Sequence, residues 1–403
     1  MENQLYAQTT ERHSRYILPT YAPQKLFVRG EGVYLYDADG RRFLDFGSGI
    51  SVCNLGHCHP KVTAAIQEQA AKLVHISNLY YNPVTSVLAQ KLISKCFDGA
   101  VFFANSGAEA NEGLIKLARK YGNRTGRNEI IAMENSFHGR TLATLAATGR
   151  AKYRQGFEPD MPGFKHVPFN DFEALKAAVT DKTCAVMLEI VQGEGGVLPA
   201  ETEYMKKVRA LCDEKDILLL CDEVQCGMGR TGTLFGWQGT GVEPDAFSMA
   251  KALANGVPMG GFIVKRKFAD VLTPGTHGST FGGTPLASAA ALAVQQVIEE
   301  ENLLENCRTQ GEYMMARLRE ITAPYSFVKE VRGRGLMIGV VLDHAAGALS
   351  AKMLEKGLVT LTAGETVLRL LPPLVITREE ADAGLAVIES GLAEYAKTLK
   401  DGE

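Results

Sequence analysis

An α/β fold, with a large domain on a mainly parallel central sheet flanked by helices and a smaller α+β domain beside it, follows from three features of this sequence. Short apolar runs alternate with amphipathic stretches from about residue 100 to residue 264, as strand–helix–strand units do. The runs are apolar throughout rather than at every second position, as strands covered on both faces require. Beyond residue 300 the pattern changes to long helices and two further strand-like runs, so the last hundred residues form a separate unit.

Taken in order, residues 1–60 read as extended pieces and turns. Gly32-Val33-Tyr34-Leu35-Tyr36 and Phe43-Leu44-Asp45-Phe46 flank Asp39-Gly40, a hairpin-turn pair. From Pro60, apolar residues at Val62, Ile66, Ala70 and Leu73 mark a helix with proline at its first position. A second helix spans about 84–97. Strands are expected at 101–103, 130–133, 184–190, 217–221, 245–250 and 261–264. Helices follow Asn105-Ser106-Gly107, open at Phe137-His138-Gly139-Arg140, and cover 203–215. Long helices over 287–300 and 303–321 lead to strands at 337–342 and 367–371. Thr377 with Glu380 three residues on forms a capping box for the last helix. Residues 61–300 are therefore assigned to the large domain, and residues 1–60 with 301–403 to the small one.

Composition narrows the function classes. At 403 residues the chain is long enough for two domains and a large core. A net charge of −3 gives no electrostatic reason to expect nucleic acid or an anionic membrane as partner. Residues 1–25 are polar, which argues against a secretory signal, and no window approaches the roughly 20 apolar residues of a membrane span. Eight cysteines lie scattered in a chain too large to need staples, so reduced thiols and a cytoplasmic location are expected. Cys53, His57, Cys58 and His59 lack a second ligand cluster, and no metal is expected.

The chemistry concentrates between residues 217 and 251. One apolar run ends in Asp222-Glu223, at the strand edge where open α/β sheets bind ligands. The next ends in Lys251. An acid closing one strand and a lysine closing the next are the two groups pyridoxal phosphate asks of its protein. The acid keeps the pyridine nitrogen protonated, and the amine forms a Schiff base with the aldehyde. Singly, the lysine also reads as a solvated strand end, and Asp222-Glu223 as a helix cap or surface turn. Gly227-x-Gly229-x-x-Gly232 matches the dinucleotide fingerprint in letters. It continues through Thr231-Gly232-Thr233-Leu234-Phe235-Gly236 with no helical period, which disfavours a nicotinamide dehydrogenase.

Other pieces are ambiguous alone. Asn105-Ser106-Gly107-Ala108 lies at a strand-to-helix junction, where free amides favour an anion, although a plain helix start is the simpler reading in isolation. Phe137 and His138 offer a flat side chain just after a strand, and Arg140 a fixed cation one turn on. Gly193-Glu194-Gly195-Gly196 sets one carboxylate in a loop with no bulk around it. Arg369, inside an apolar run, needs an anionic partner from protein or substrate.

Together with Arg29-Gly30-Glu31-Gly32, Gly56-His57-Cys58-His59-Pro60, Glu109-Ala110-Asn111-Glu112, Gln192-Gly193-Glu194, Gly229-Arg230-Thr231-Gly232, Ala250-Lys251-Ala252 and His277-Gly278-Ser279-Thr280-Phe281-Gly282-Gly283, these motifs stand in register over nearly the whole chain. In that register the sequence resembles the class III pyridoxal-phosphate aminotransferases, in the acetylornithine/ornithine aminotransferase branch. Glu189-Ile190 stands where that family usually has Glu-Pro, a departure expected to lie beside the site rather than in it.

The resemblance implies the fold type I, aspartate-aminotransferase-like architecture and a role for each matching residue. Lys251 would form the Schiff base and later shuttle the substrate proton. Asp222 would pair with the pyridinium, and Gln225 would reach the phenolic oxygen, with Glu223 also touching the cofactor. Phe137 and Val224 would sandwich the ring. Ser106 and the amides of Gly107 and Ala108 would hold the phosphate, joined by Thr280 of a neighbouring subunit, which implies a homodimer. Arg140 would clamp the distant carboxylate of both substrates. Arg369 would take glutamate's α-carboxylate after releasing Glu194, with Ser279 and Tyr21 near the substrate. Relatives using free ornithine carry Tyr where this chain has Ile50, which favours an N-acylated donor. The expected reaction is N-acetylornithine plus 2-oxoglutarate giving the semialdehyde plus glutamate, a step of arginine synthesis. Transamination of succinylornithine, free ornithine or 4-aminobutyrate is the alternative.

Overall fold

The computed structural model describes residues 2–400. A helix over Glu2–Tyr16 precedes three antiparallel strands, β1 (Phe27–Glu31), β2 (Tyr34–Asp37) and β3 (Arg42–Asp45). The middle of the chain supplies β4 (Gly99–Ala104), β5 (Glu129–Met133), β6 (Phe164–Val167) and β7 (Thr183–Glu189). A short ribbon follows, β8 (Val191–Gln192) with β9 (Leu198–Pro199), then β10 (Leu218–Asp222), β11 (Ala246–Met249) and β12 (Gly260–Lys265). The C-terminal part adds β13 (Val328–Arg334), β14 (Met337–Leu342), β15 (Leu358–Val359), β16 (Leu361–Ala363) and β17 (Val367–Leu370).

The central sheet has the order β4-β12-β11-β10-β7-β5-β6. Pairing is parallel from β11 through β10, β7 and β5 to β6, and every residue of β7, β10 and β11 is buried. Their uninterrupted apolar runs are explained by helices on both faces. β12 is antiparallel to both its neighbours. Between β11 and β12 lie only a 3₁₀ turn over Lys251–Ala254 and a short loop, too little chain for the crossover a parallel partner needs.

Several elements differ from the sequence expectation, β13 and the helix Gly347–Glu355 among them. Residues 2–16 are helical rather than extended; this helix is polar and largely exposed, so it carries no apolar stripe to read. β6 was not anticipated, because only Phe164 and Val167 are apolar in an edge strand. The segment 137–140 does not open a helix: Gly139 takes φ 141°, and the helix runs over Leu142–Ala147 with Thr141 as its cap. That irregular segment leaves Phe137 and Arg140 on a loop beside the sheet edge.

The termini meet in a second sheet, β1-β2-β3-β15, where β15 pairs with β3 through Leu358 and Leu44. A third sheet has the order β13-β14-β17-β16. The last helix, Arg378–Lys400, starts as its capping box requires: Thr377 N donates to Glu380 Oε2 at 2.9 Å and Glu380 N to Thr377 Oγ1 at 3.2 Å. Among the described residues no helix is long and apolar enough to cross a membrane, and no two cysteines are bonded.

Candidate active site

Neighbouring parallel strands deliver the two groups singled out from sequence. β10 ends at Asp222, in register with Ser248 of β11. Three residues further, Lys251 leaves the sheet at φ 46°, a left-handed backbone that a non-glycine residue adopts only where the surrounding fold holds it. Both residues line one cavity of about 450 Å³.

Asp222 is buried, and burial alone would raise its carboxyl; its partners outweigh that. Oδ2 meets His138 Nδ1 at 2.8 Å and accepts from Asn111 Nδ2 at 2.7 Å, while Oδ1 accepts from Val224 N at 2.9 Å. The net effect holds the carboxyl below its usual range, so the site keeps a full negative charge away from water. His138, buried beside it, is raised by the same pair despite burial. Lys251 shifts the other way: burial lowers its amine, which favours the uncharged, nucleophilic form.

One end of the cavity is built for an anion. Ser106 caps the helix Gly107–Gly122, its Oγ accepting from Glu109 N at 3.2 Å. The amides of Gly107 and Ala108 stand in the first turn, where no intrahelical acceptor exists. A Cβ at position 107 would come within 2.7 Å of Val224 Cγ1, so glycine is needed for the helix to approach that close. Phe137, Val224 and Gln225 border the same cavity, as does Arg140.

Arg369 on β17 has the partner its apolar surroundings demand. Nη1 donates to Glu194 Oε1 at 2.6 Å and to Gln225 Oε1 at 3.0 Å. The guanidinium is thus tied to the cavity through Gln225.

Some expected residues lie elsewhere. Glu223 does not face the cavity: its carboxylate accepts from Gly236 N and Trp237 N, both at 2.7 Å, and burial pushes it up to about 7. Successive strand residues point to opposite sides, which is why only one of the Asp222-Glu223 pair can serve the site. Thr280 borders a separate surface groove, Tyr21 is 83 % exposed, and Ile50 is also exposed. Ser279 touches the cavity indirectly, its Oγ accepting from Asn105 Nδ2 at 3.3 Å. Glu189, expected beside the site, lines it; its oxygens accept from Phe137 N at 3.0 Å and Gly193 N at 3.1 Å, and burial pushes the carboxyl up to about 7. Sequence reasoning missed Asn111 and the hydrogen bond by which His138, noted only for its flat ring, joins it on Asp222. Asn111 was legible, standing one helical turn past Gly107.

The turn just before Val52, which lines the cavity, carries backbone strain. Ser48, Gly49, Ile50 and Ser51 all have positive φ, between 46° and 64°. Buried Arg230 secures this turn: Nε donates to Ser51 Oγ at 3.0 Å, and Nη1 to the carbonyl of Leu336 at 2.9 Å and to that of Pro372. Nη2 bonds Asn54 Oδ1. Gly227–Gly232 forms turns around this arginine rather than the start of a helix.

The family description "Aminotransferase class-III" matches residues 19–392. The chain belongs to the class-III aminotransferases. As such it is a pyridoxal-phosphate-dependent transaminase, and its cavity fits that cofactor: an ionised carboxylate for a ring nitrogen, an amine whose charge burial disfavours for an aldehyde, and first-turn amides for a phosphate. It is 50 % identical to the acetylornithine aminotransferase of Gloeobacter violaceus, over 97 % of this chain and 98 % of the relative. It is 52 % identical to that of Methanocaldococcus jannaschii, over 92 % and 94 %. Among solved structures, the ornithine aminotransferase of Toxoplasma gondii superimposes with a TM-score of 0.93 at 32 % identity, covering 99 % of this chain and 96 % of that one. The N-acetylornithine aminotransferase of Stenotrophomonas maltophilia gives 0.84 at 37 %, covering 96 % and 99 %.

Proposed function

We propose that this class-III aminotransferase moves the terminal amino group of N-acetyl-L-ornithine to 2-oxoglutarate, giving N-acetyl-L-glutamate 5-semialdehyde and L-glutamate, a step of arginine biosynthesis. The observation that carries the reading is a pair of unequal arginines. Arg140 borders the cavity with no carboxylate of its own among the described residues, whereas Arg369 is closed by Glu194. Relatives named for acetylornithine, at 50 % and 52 % identity, support the donor.

Bound pyridoxal phosphate supplies an aldehyde that accepts the amino group and a ring that spreads the charge left on the substrate carbon. The chain's residues do the rest. Asp222 stays ionised and keeps the ring nitrogen protonated. Gln225, its Oε1 taken by Arg369, would donate through Nε2 to the phenolic oxygen. Phe137 and Val224 would flank the ring, and Ser106, Gly107 and Ala108 would hold the phosphate. Lys251 Nζ, whose hold on a proton burial weakens, would take the proton from the substrate carbon that bears the amino group and return it two atoms further on, past the nitrogen, at the carbon that carried the aldehyde oxygen. Arg140 binds the carboxylate remote from the reacting amine in both half-reactions. With N-acetylornithine Arg369 stays closed on Glu194; with glutamate Glu194 swings away and the guanidinium takes the α-carboxylate.

In this reading a second copy completes the site. Thr280 lies in a groove of about 310 Å³ bordered by Tyr80 and Tyr81, with Leu79 and Phe281 also exposed nearby. The exposed Leu79, Tyr80, Tyr81 and Phe281 support an association surface there, and Thr280 would reach the phosphate bound by the partner. The division into residues 61–300 and residues 1–60 with 301–403 is supported by the β3–β15 pairing.

The test is the visible spectrum of the purified holoenzyme before and after adding N-acetylornithine without keto acid. Conversion of the cofactor band to the amine form is expected, reversed by 2-oxoglutarate. An unchanged spectrum refutes the donor. Light scattering should give twice the chain mass, and Tyr81→Glu should lower it.

A further inference from the structure

Arg140 is held by rings rather than by an acid. Its guanidinium carbon lies 4.0 Å from the ring centroid of Tyr153 and 5.3 Å from that of Phe137. The two rings meet edge to face, 6.1 Å apart at 89°. A second cation shares the same support: the Arg150 guanidinium carbon lies 5.0 Å from the Tyr153 centroid. Arg150 Nη1 donates to Tyr153 Oη at 3.0 Å and to the backbone carbonyl of Glu194 at 3.2 Å. Among the described residues neither arginine pairs with a carboxylate.

An aromatic face attracts a cation without cancelling its charge. An acid in the same place would neutralise Arg140, and each substrate would have to displace it, as one must displace Glu194 from Arg369. Two guanidiniums beside one ring also repel, so Arg140 is pressed away from Arg150 while the rings hold it at the cavity. We infer that Tyr153 is a positioning residue for the substrate's remote carboxylate: its ring holds Arg140 charged and oriented, and Arg150 fixes that ring to the loop carrying Glu194. Both carboxylate sites thereby rest on one support. The inference depends on the proposed use of Arg140.

Because Arg140 serves both half-reactions, loss of the ring acts on both substrates, and only through their carboxylates. The comparison donor is N-acetylputrescine, which has the amine and acetamide of N-acetylornithine but no carboxylate. In Tyr153→Leu, KM for N-acetylornithine and for 2-oxoglutarate should rise about tenfold, with kcat within about threefold of wild type. The kcat/KM of N-acetylputrescine should hold within about twofold. Tyr153→Phe, which keeps the ring, should recover most of the loss. A readout without turnover is calorimetric binding of glutarate to the holoenzyme, which should weaken about tenfold in Tyr153→Leu and at least as much in Arg140→Ala.

Equal losses on the two donors would make Tyr153 a general structural residue and overturn the inference, as would unaltered glutarate binding in Tyr153→Leu. If that variant does not fold, Arg150→Gln decides: selective weakening toward the carboxylate-bearing donor supports the shared support, and equal or no weakening overturns it. Unaltered glutarate binding in Arg140→Ala would instead remove the proposed clamp itself. A wild type inert to N-acetylornithine refutes only the donor, because the 2-oxoglutarate and glutarate measurements still judge Tyr153.

Discussion

Replacing Arg369 with alanine should separate the two half-reactions. The guanidinium is 2 % exposed and bonds Glu194 at 2.6 Å and Gln225 at 3.0 Å. The Glu194 side chain is more accessible, at 23 %, so it can return to water at small cost. An incoming α-carboxylate then takes its place, and the arginine exchanges one carboxylate for another with little net change. Without Arg369 that carboxylate would sit in a buried place with only neutral donors. Losing one partner of a buried ion pair costs about 3–5 kcal/mol. Water entering the vacated space reduces this, and about 3 kcal/mol, roughly a hundredfold in kcat/KM for glutamate, is the working expectation. N-acetylornithine, whose carboxylate goes to Arg140, should lose less than about threefold. Rapid mixing of holoenzyme with each amino donor alone, followed by cofactor absorbance, measures the two separately. Similar losses with both donors would refute the exchange of Glu194 for substrate.

Further expectations follow from individual contacts. In Gly107→Ala the added methyl meets Val224 Cγ1 at 2.7 Å; overpacking of about 1–3 kcal/mol should appear as roughly tenfold or greater weakening of cofactor binding in dialysis, and unchanged affinity would contradict the cradle. Peptide mass mapping of borohydride-reduced wild type should find the cofactor adduct on Lys251, and Lys251→Ala should abolish it; an adduct on another lysine would move the chemistry elsewhere. His57 meets Asp45 at 2.8 Å, and that hydrogen bond raises the imidazole to about 10. A raised folded value means the pair's stabilisation is complete below the ordinary 6.5 and fades as pH rises through about 10. His57→Gln should therefore cost about 1 kcal/mol in urea denaturation near neutral pH, and nothing once the pH exceeds about 10. A constant difference across that range would exclude the ion pair as its source.

The large sheet was legible because buried parallel strands write themselves as unbroken apolar runs, and β7, β10 and β11 are such runs. That Asp222 and Lys251 border one cavity was legible because each stands at the end of a strand. What escaped had no periodic trace. The polar helix Glu2–Tyr16 buries no stripe, and β6 is an edge strand. The direction of β12 depends on loop length, not on its own residues. Glu223 misled because adjacency in sequence suggested shared duty, whereas strand geometry turns it toward Gly236 and Trp237. The roles of Glu189 and Tyr153 escaped because they arise from contacts across 52 residues in one case, and between two arginines and two rings in the other.

Arg230 has a consequence for how this molecule comes apart. Its charge is fully buried, burial lowers it to about 10, and its acceptors are oxygens from residues 51 and 54, 336 and 372. A guanidinium with any of those acceptors missing would be stranded in a dry interior at a cost of several kcal/mol. Detaching the C-terminal part therefore strands the same ion that anchors the N-terminal turn at Ser51. The two halves are coupled in melting, and a calorimetric trace should show one cooperative transition where the sheet map shows separable parts.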